Sequence, residues 1–307
     1  MFIETHAATH VGRVRKGNED NYLLLDIAGA KTWTSLQESK ELVVESQKFE
    51  IDDKGIVLAV SDGMGGALAG EVASKMAVET VGEQFLNENS SRKTAADNPE
   101  NSLVEKLYDA TVYANYLIHR QGRSDPQYSG MGATFTGAGI SANKTIDLVQ
   151  VGDSRAYLFR GGKIRQVTKD QSLVQQLIDS KQITPEEAET HTLKNVILQA
   201  LGAQNEIYPV PARLVPCRDD VLLLCSDGLS NKIGSGDMQR IVADNADRLP
   251  AACVEMIKLA NERGGEDNIT LILAKLSGGD LPEPTDDEVE VEFLDFDDIH
   301  DTADQSV

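Results

Sequence analysis

The sequence is short of cysteine, of basic residues and of long hydrophobic runs, and each shortage excludes something. Only three cysteines, Cys217, Cys225 and Cys253, occur in 307 residues. Their spacing fits no metal motif, and so small and odd a number suits reduced thiols. Of the five histidines, His6, His10, His119, His191 and His300, only His6 and His10 share an HxxxH spacing, with no HExxH glutamate and no cysteine nearby, so a zinc site of His and Cys ligands is not expected. The longest apolar runs, such as Val221–Cys225, are far too short to cross a bilayer. The start, MFIETHAATHVGRVRKG, lacks the charged head, apolar middle and small-residue cleavage site of a secretory leader. Lys and Arg number 29 against 50 Asp and Glu, a net charge of −21, which argues against nucleic acid as a direct partner. The expectation is a soluble, cytoplasmic monomer that touches neither membrane nor nucleic acid.

What remains is 40% hydrophobic, ample for a globular core. The acidity is uneven. Twelve Asp or Glu and no Lys or Arg lie between Asp280 and Asp304, so without that stretch the charge of −21 falls to −9. Residues 1–277 read as one domain. Residues 278–307, with Pro282, Pro284 and no period, read as a disordered acidic tail. Its stretch VEVEFLDFDD, Val289 to Asp298, alternates acids with apolar residues. That pattern suits a docking segment for a basic-surfaced partner, such as a kinase or scaffold.

Periodicity predicts strands at Asn21–Asp26, Ile56–Val60, Ala133–Ile140, Thr145–Val151, Ala156–Phe159, Val221–Cys225 and Ile269–Lys275. A long polar segment around Lys31–Lys54 reads as a surface excursion or hairpin extension. Leu68, Val72, Met76, Val81 and Phe85 form one helical stripe, and Leu103, Leu107, Thr111, Ala114 and Ile118 another, opened by a Ser102–Glu105 capping box. Ser172–Ala200 reads as helical, with a strong start at Thr184-Pro185-Glu186-Glu187. Pro250 opens the last helix and Gly264-Gly265 ends it. Strands and helices come in blocks, which favours a layered α+β fold over a doubly wound sheet.

Two apolar runs end alike, VLAVSDGMGG from Val57 and VLLLCSDGLSN from Val221. Asp-Gly alone is ordinary turn chemistry. However, Glu19, Asp20, Asp62, Asp153, Asp227 and Asp267 all sit at the ends of predicted strands. Carboxylates gathered at one place repel each other unless cations neutralise them. An all-oxygen set favours hard ions, Mg²⁺ or Mn²⁺. A dinucleotide loop at GMGGAL lacks its last glycine, where Leu68 stands, and Asp62 would oppose a pyrophosphate. GMGATF at Gly130 leads into a strand and reads as close backbone packing.

The motifs RKGNEDN, VSDGMGG, GMGATFTGA, VGDSRAY, LLLCSDGLSN and GGEDNITLILA occur in one order over roughly Thr5 to Leu276. With them the chain resembles a bacterial metal-dependent Ser/Thr protein phosphatase of the PP2C (PPM) family. The resemblance implies an α+β fold, a β-sandwich of two antiparallel sheets flanked by helices. It implies two Mn²⁺ or Mg²⁺ ions at one end, with a third held more weakly. Asp62 would bridge the two, Gly63 (through its carbonyl) and Glu19 (through water) would serve one, and Asp227 and Asp267 the other. Asp153 with Asp227 would hold the third, and Arg15 would grip the substrate phosphate, a task that suits its planar fork. Arg15, Asp62 and Asp227 are the expected catalytic residues. A stretch of about 170–201 matches the flap beside the site. The implied activity is hydrolysis of phosphoserine and phosphothreonine by metal-activated water, opposing Ser/Thr kinases, with phosphorylated proteins as partners. A phosphatase of anti-anti-sigma-type regulators would use the same chemistry. A non-catalytic pseudophosphatase would have lost a ligand, and every expected ligand is present. Three departures stand out: Met64 replaces a histidine common in eukaryotic members, Gln171 replaces the histidine of Asp-His-Ser, and Asn231 replaces an aspartate.

Overall fold

Strands with both faces buried explain the unbroken apolar runs. In β5 (Ile56–Met64), Ile56, Leu58 and Val60 enter one core while Val57 and Ala59 enter another. In β12 (Val221–Cys225), Leu222 and Leu224 face one core and Val221, Leu223 and Cys225 a third. Side chains alternate along a strand, so a strand covered on both sides needs apolar residues at every position.

The computed structural model describes residues 1–35, 42–87, 102–284 and 288–295. Sheet 1 runs in the order β10 (Lys163–Gln166), β9 (Arg155–Arg160), β12, β13 (Ile269–Ser277), β1 (Phe2–His10) and β4 (Val44–Glu50). Sheet 2 runs β14 (Glu292–Phe293), β11 (Val210–Leu214), β8 (Ile146–Val151), β7 (Phe135–Ile140), β5, β2 (Asp20–Asp26) and β3 (Lys31–Thr34), and the short β6 (Gly132–Ala133) also pairs with β5. All these pairings are antiparallel. One core lies between the sheets. A second lies under α1 (Ala67–Leu86) and α2 (Ser102–Ser124) on sheet 2, and a third under α6 (Ser235–Asp244) and α7 (Leu249–Glu262) on sheet 1. The expected helix–sheet–sheet–helix sandwich is what the chain forms. Among the described residues no helix is long and apolar enough to cross a membrane.

Several expectations need correction. The polar stretch Lys31–Lys54 is in part the expected hairpin extension, since β3 closes a hairpin with β2, but β4 crosses to pair with β1 in the other sheet. The stripe expected for α1 lies along the edge of its buried face: Val81 is buried and Val72, Met76 and Phe85 pack partly buried against the core, whereas Leu68 is 47% exposed and Ala69, Ala73, Ala77 and Val78 fill the centre. Small side chains let this helix lie close to sheet 2. The stripe expected for α2 is buried throughout, while the Ser102 side chain of the expected capping box lies outside what is described. Ser172–Ala200 is helical only at α3 (Leu173–Asp179) and α4 (Pro185–Glu189), the latter with its full capping box.

The largest correction concerns residues 278–307. Leu281 and Val289 are each only 2% exposed and belong to the core between the sheets. Arg160 donates to the Glu288 carbonyl at 3.1 Å, Arg165 donates to the Val289 carbonyl, and β14 pairs with β11. The described part of this segment is thus an edge strand of the domain, and the boundary at 277 does not hold. Its alternating pattern does add a strand, to the chain's own sheet 2.

Candidate active site

Period-two alternation aims the site residues. Tyr22 and Leu24 of β2 and Leu58 and Val60 of β5 face the core between the sheets. Asp20 and Asp62 continue those same faces and stand opposite each other in the ladder. Sheet 1 contributes from across the gap. Leu224 faces inward, and two residues on, Ser226 donates its hydroxyl to Asp20 Oδ2 at 2.8 Å. The Ser226 N–H donates to the Thr270 carbonyl of β13 at 3.0 Å, and the Ser226 hydroxyl accepts from the Thr270 N–H at 3.0 Å. The carboxylates therefore gather at one end of the sandwich, just beyond the core residues Tyr22, Val60 and Leu224 of their strands.

The two Ser-Asp-Gly copies reach this end by different routes. At Ser61-Asp62-Gly63 there is no turn, because β5 continues to Met64. Asp62 N–H donates to Thr134 Oγ at 3.0 Å, and Thr134 Oγ lies 2.7 Å from Ser154 Oγ. At Ser226-Asp227-Gly228 the strand stops and α5 (Asp227–Ser230) begins. Asn231 Nδ2 donates to Asp227 Oδ2 at 3.0 Å, so the residue that departs from the expected aspartate orients its neighbour.

The remaining candidates close around this pair. The Gly63 N–H donates to the Glu19 carbonyl at 3.1 Å, and the Glu19 N–H donates to Asn268 Oδ1 at 2.8 Å. Asn268 Nδ2 in turn donates to the Val11 and Gly17 carbonyls, tying down the loop that carries Arg15. Arg15 is exposed and donates to Asp267 Oδ2 at 2.9 Å, with Glu19 Oε1 4.0 Å away. A Cβ on Gly70 would collide with Glu19 Oε2 and the Gly63 backbone, so α1 can approach the site only with glycine there. Asp153 follows β8, and its loop is fixed by Gln171: Gly152 N–H donates to Gln171 Oε1 and Gln171 N–H to the Gly152 carbonyl, both at 2.8 Å.

These carboxyls disturb one another. Burial raises Asp62 well above the usual carboxylate range, and the charges of Asp20, Asp227, Asp153 and Asp267 push it further. Burial, then Asp227 and Asp170, takes Asp153 to about 8. Burial takes Asp20 to about 7. Asp227 is raised by burial and by Asp267, and Glu19 by burial against the opposing pull of Arg15. Asp227 Oδ1 and Asp20 Oδ1 are buried without a hydrogen-bond partner among the described residues. Mutual repulsion and orphaned carboxylate oxygens are what a hard cation relieves. No three His, Cys, Asp or Glu side chains of the described residues already close on one ion-sized point. The donor chemistry fits Mg²⁺ or Mn²⁺ all the same. Cys225 offers no rival nucleophile: it is fully buried, and burial pushes its thiol up to about 12.

All the expected residues, Arg15, Glu19, Asp62, Gly63, Asp153, Asp227 and Asp267, thus lie at one end. Sequence reasoning noted Asp20 and Gln171 but gave them no role, and it missed Ser226, Asn268 and Thr134. Asp20 was visible in principle, two residues before the inward-facing Tyr22. The others act through contacts that no local pattern announces.

A family model described as protein phosphatase 2C matches residues 45–273, well over half of the chain. The serine/threonine phosphatase stp of Listeria innocua is 35% identical over 269 residues, 87% of this chain and 93% of that protein. The crystal structure of the Mycobacterium tuberculosis serine/threonine phosphatase PstP/Ppp superposes with a TM-score of 0.71 at 30% identity, over 91% of this chain and 100% of that one. The catalytic domain of PstP in complex with two manganese ions superposes with a TM-score of 0.68 at 30% identity, again over 91% and 100%.

Proposed function

Because the chain belongs to the protein phosphatase 2C family, we propose that it hydrolyses phosphoserine and phosphothreonine in proteins, with divalent cations at the carboxylate end, in opposition to Ser/Thr kinases. The observation that carries this reading is the meeting of Asp20, Asp62, Asp153 and Asp227, two of them with an orphaned buried oxygen. Asp62, the Gly63 carbonyl and Glu19 would hold one ion, Asp62, Asp227 and Asp267 the second, and Asp153 with Asp227 a weaker third. Such ions supply Lewis-acid activation of water and neutralise phosphoryl charge.

The chain's own residues do the positioning. Arg15 has its NH2 engaged by Asp267 and keeps further guanidinium donors for phosphate oxygens. Asn231 holds Asp227 Oδ2, which leaves Oδ1 aimed into the site. Thr134 and Ser154 fix the backbone of Asp62, so its carboxylate is set by a strand and not by a loop. Ser226 ties Asp20 to sheet 1 and fixes the width of the gap.

The test is hydrolysis of an aryl phosphate and of a phosphothreonine peptide in Mn²⁺ or Mg²⁺, against the same protein in excess EDTA. Turnover that depends on the cation supports the reading. Full turnover in EDTA defeats it.

A further inference from the structure

We propose that the cleft between the flap base and the C-terminal strand β14 is a substrate subsite. It would take an apolar side chain close to the phosphorylated residue, and Phe293 is its specificity-determining wall. This builds on the phosphatase reading of the carboxylate end.

The cleft holds about 390 Å³ and is lined by Gln171, Ser172, Gln175, Leu198, Val210 and Phe293, among others. That volume suits one large side chain with some backbone. Its floor is tied to the carboxylate end, since Gln171 exchanges two hydrogen bonds with Gly152, the neighbour of Asp153. An extended peptide covers about 3.3–3.6 Å per residue, so a few residues join the two places.

The wall is built in advance. Val289 is buried in the core, the Glu288 and Val289 carbonyls are held by Arg160 and Arg165, and Leu294 N–H donates to the Pro211 carbonyl at 3.0 Å. Between these anchors Phe293 pairs with Ala212 through the backbone yet leaves its ring 52% exposed. An exposed ring on a fixed backbone is a low-entropy contact for a partner.

The experiment uses the full chain with Phe293→Ala and Phe293→Leu. The probes are phosphothreonine peptides differing only in a flanking residue, Leu against Gly, beside an aryl phosphate. Phe293→Ala should raise KM for the Leu-flanked peptide about five- to tenfold and leave the Gly-flanked peptide and the aryl phosphate within about twofold. Phe293→Leu should restore most of the loss. Equal shifts across the peptides, or none, overturn the subsite. If the unaltered protein fails to turn over the aryl phosphate, the phosphatase reading is what fails, and the subsite falls with it.

Discussion

Asp20 of β2 stands directly opposite Asp62 of β5, both on the face turned toward the other sheet. Like charges placed opposite on one face destabilise an antiparallel pair. The fold keeps this pair at the end of its sandwich, where a held proton or a bound cation relieves the repulsion. The first expectation follows from that conflict. Asp62→Asn should bring turnover down to background, yet raise the melting temperature in EDTA at pH 8, because one member of the repelling set is gone. A mutant that loses activity and also melts lower in EDTA would show Asp62 to be structural.

The same repulsion makes stability depend on pH in a defined direction. The folded values of Asp20 and Asp153 are raised, to about 7 and about 8. A group raised on folding keeps its proton where the unfolded chain has lost it. Its contribution is fully present below the unfolded value, about 4, and is lost as pH rises through the folded value. Metal-free protein should therefore melt progressively lower between about pH 4 and pH 8, and Mn²⁺ or Mg²⁺ should restore the loss at the upper end. Scanning calorimetry with and without the cation checks it; a flat profile in EDTA contradicts it.

Asp153 stands apart from the Asp20–Asp62 pair, on a loop that Gln171 fixes. Asp153→Asn should leave two tight cation sites intact in calorimetric titration, remove a weaker one, and lower kcat. Unchanged stoichiometry with unchanged kcat would reduce Asp153 to a turn residue.

Truncation after Ser277 should be costly. It removes Leu281 and Val289 from the core, each 2% exposed, at about 1.5–3 kcal/mol apiece. It also strips Arg160 and Arg165 of carbonyl partners. A fall in the urea midpoint is the expected result, and an unchanged midpoint would return the segment to the status of a tail.

That segment also shows where sequence reading stops. An acidic, proline-bearing stretch looks unable to bury anything, and its partners Arg160 and Arg165 lie more than a hundred positions earlier. Charge and spacing along the chain cannot reveal such a match. The strand β1, FIETHAATH, was equally silent, because its polar positions are paired or covered by strands on both sides. The flap was read as helix from good local starts, but only α3 and α4 keep that form, and the rest is held by bonds to β6, Gly152 and Tyr208. By contrast, the apolar runs ending in acids were plain in the sequence. Burial on both faces leaves an unbroken signature, and the end of burial is where the chemistry begins. The order of motifs carried the family; the strand faces carried the geometry.

The place of β13 has a consequence for how the chain comes into being. It is inserted between β12 and β1, pairing Phe2 with Ser277 and His10 with Ile269. On a ribosome, the first strand must wait for nearly the whole domain to be synthesised before its neighbour exists. Contacts of such long sequence separation form late and slowly. Asp267 and Asn268 arrive with the same strand, so the carboxylate end is completed only when sheet 1 is. A nascent or prematurely ended chain holds no partial phosphatase, and activity marks a finished molecule.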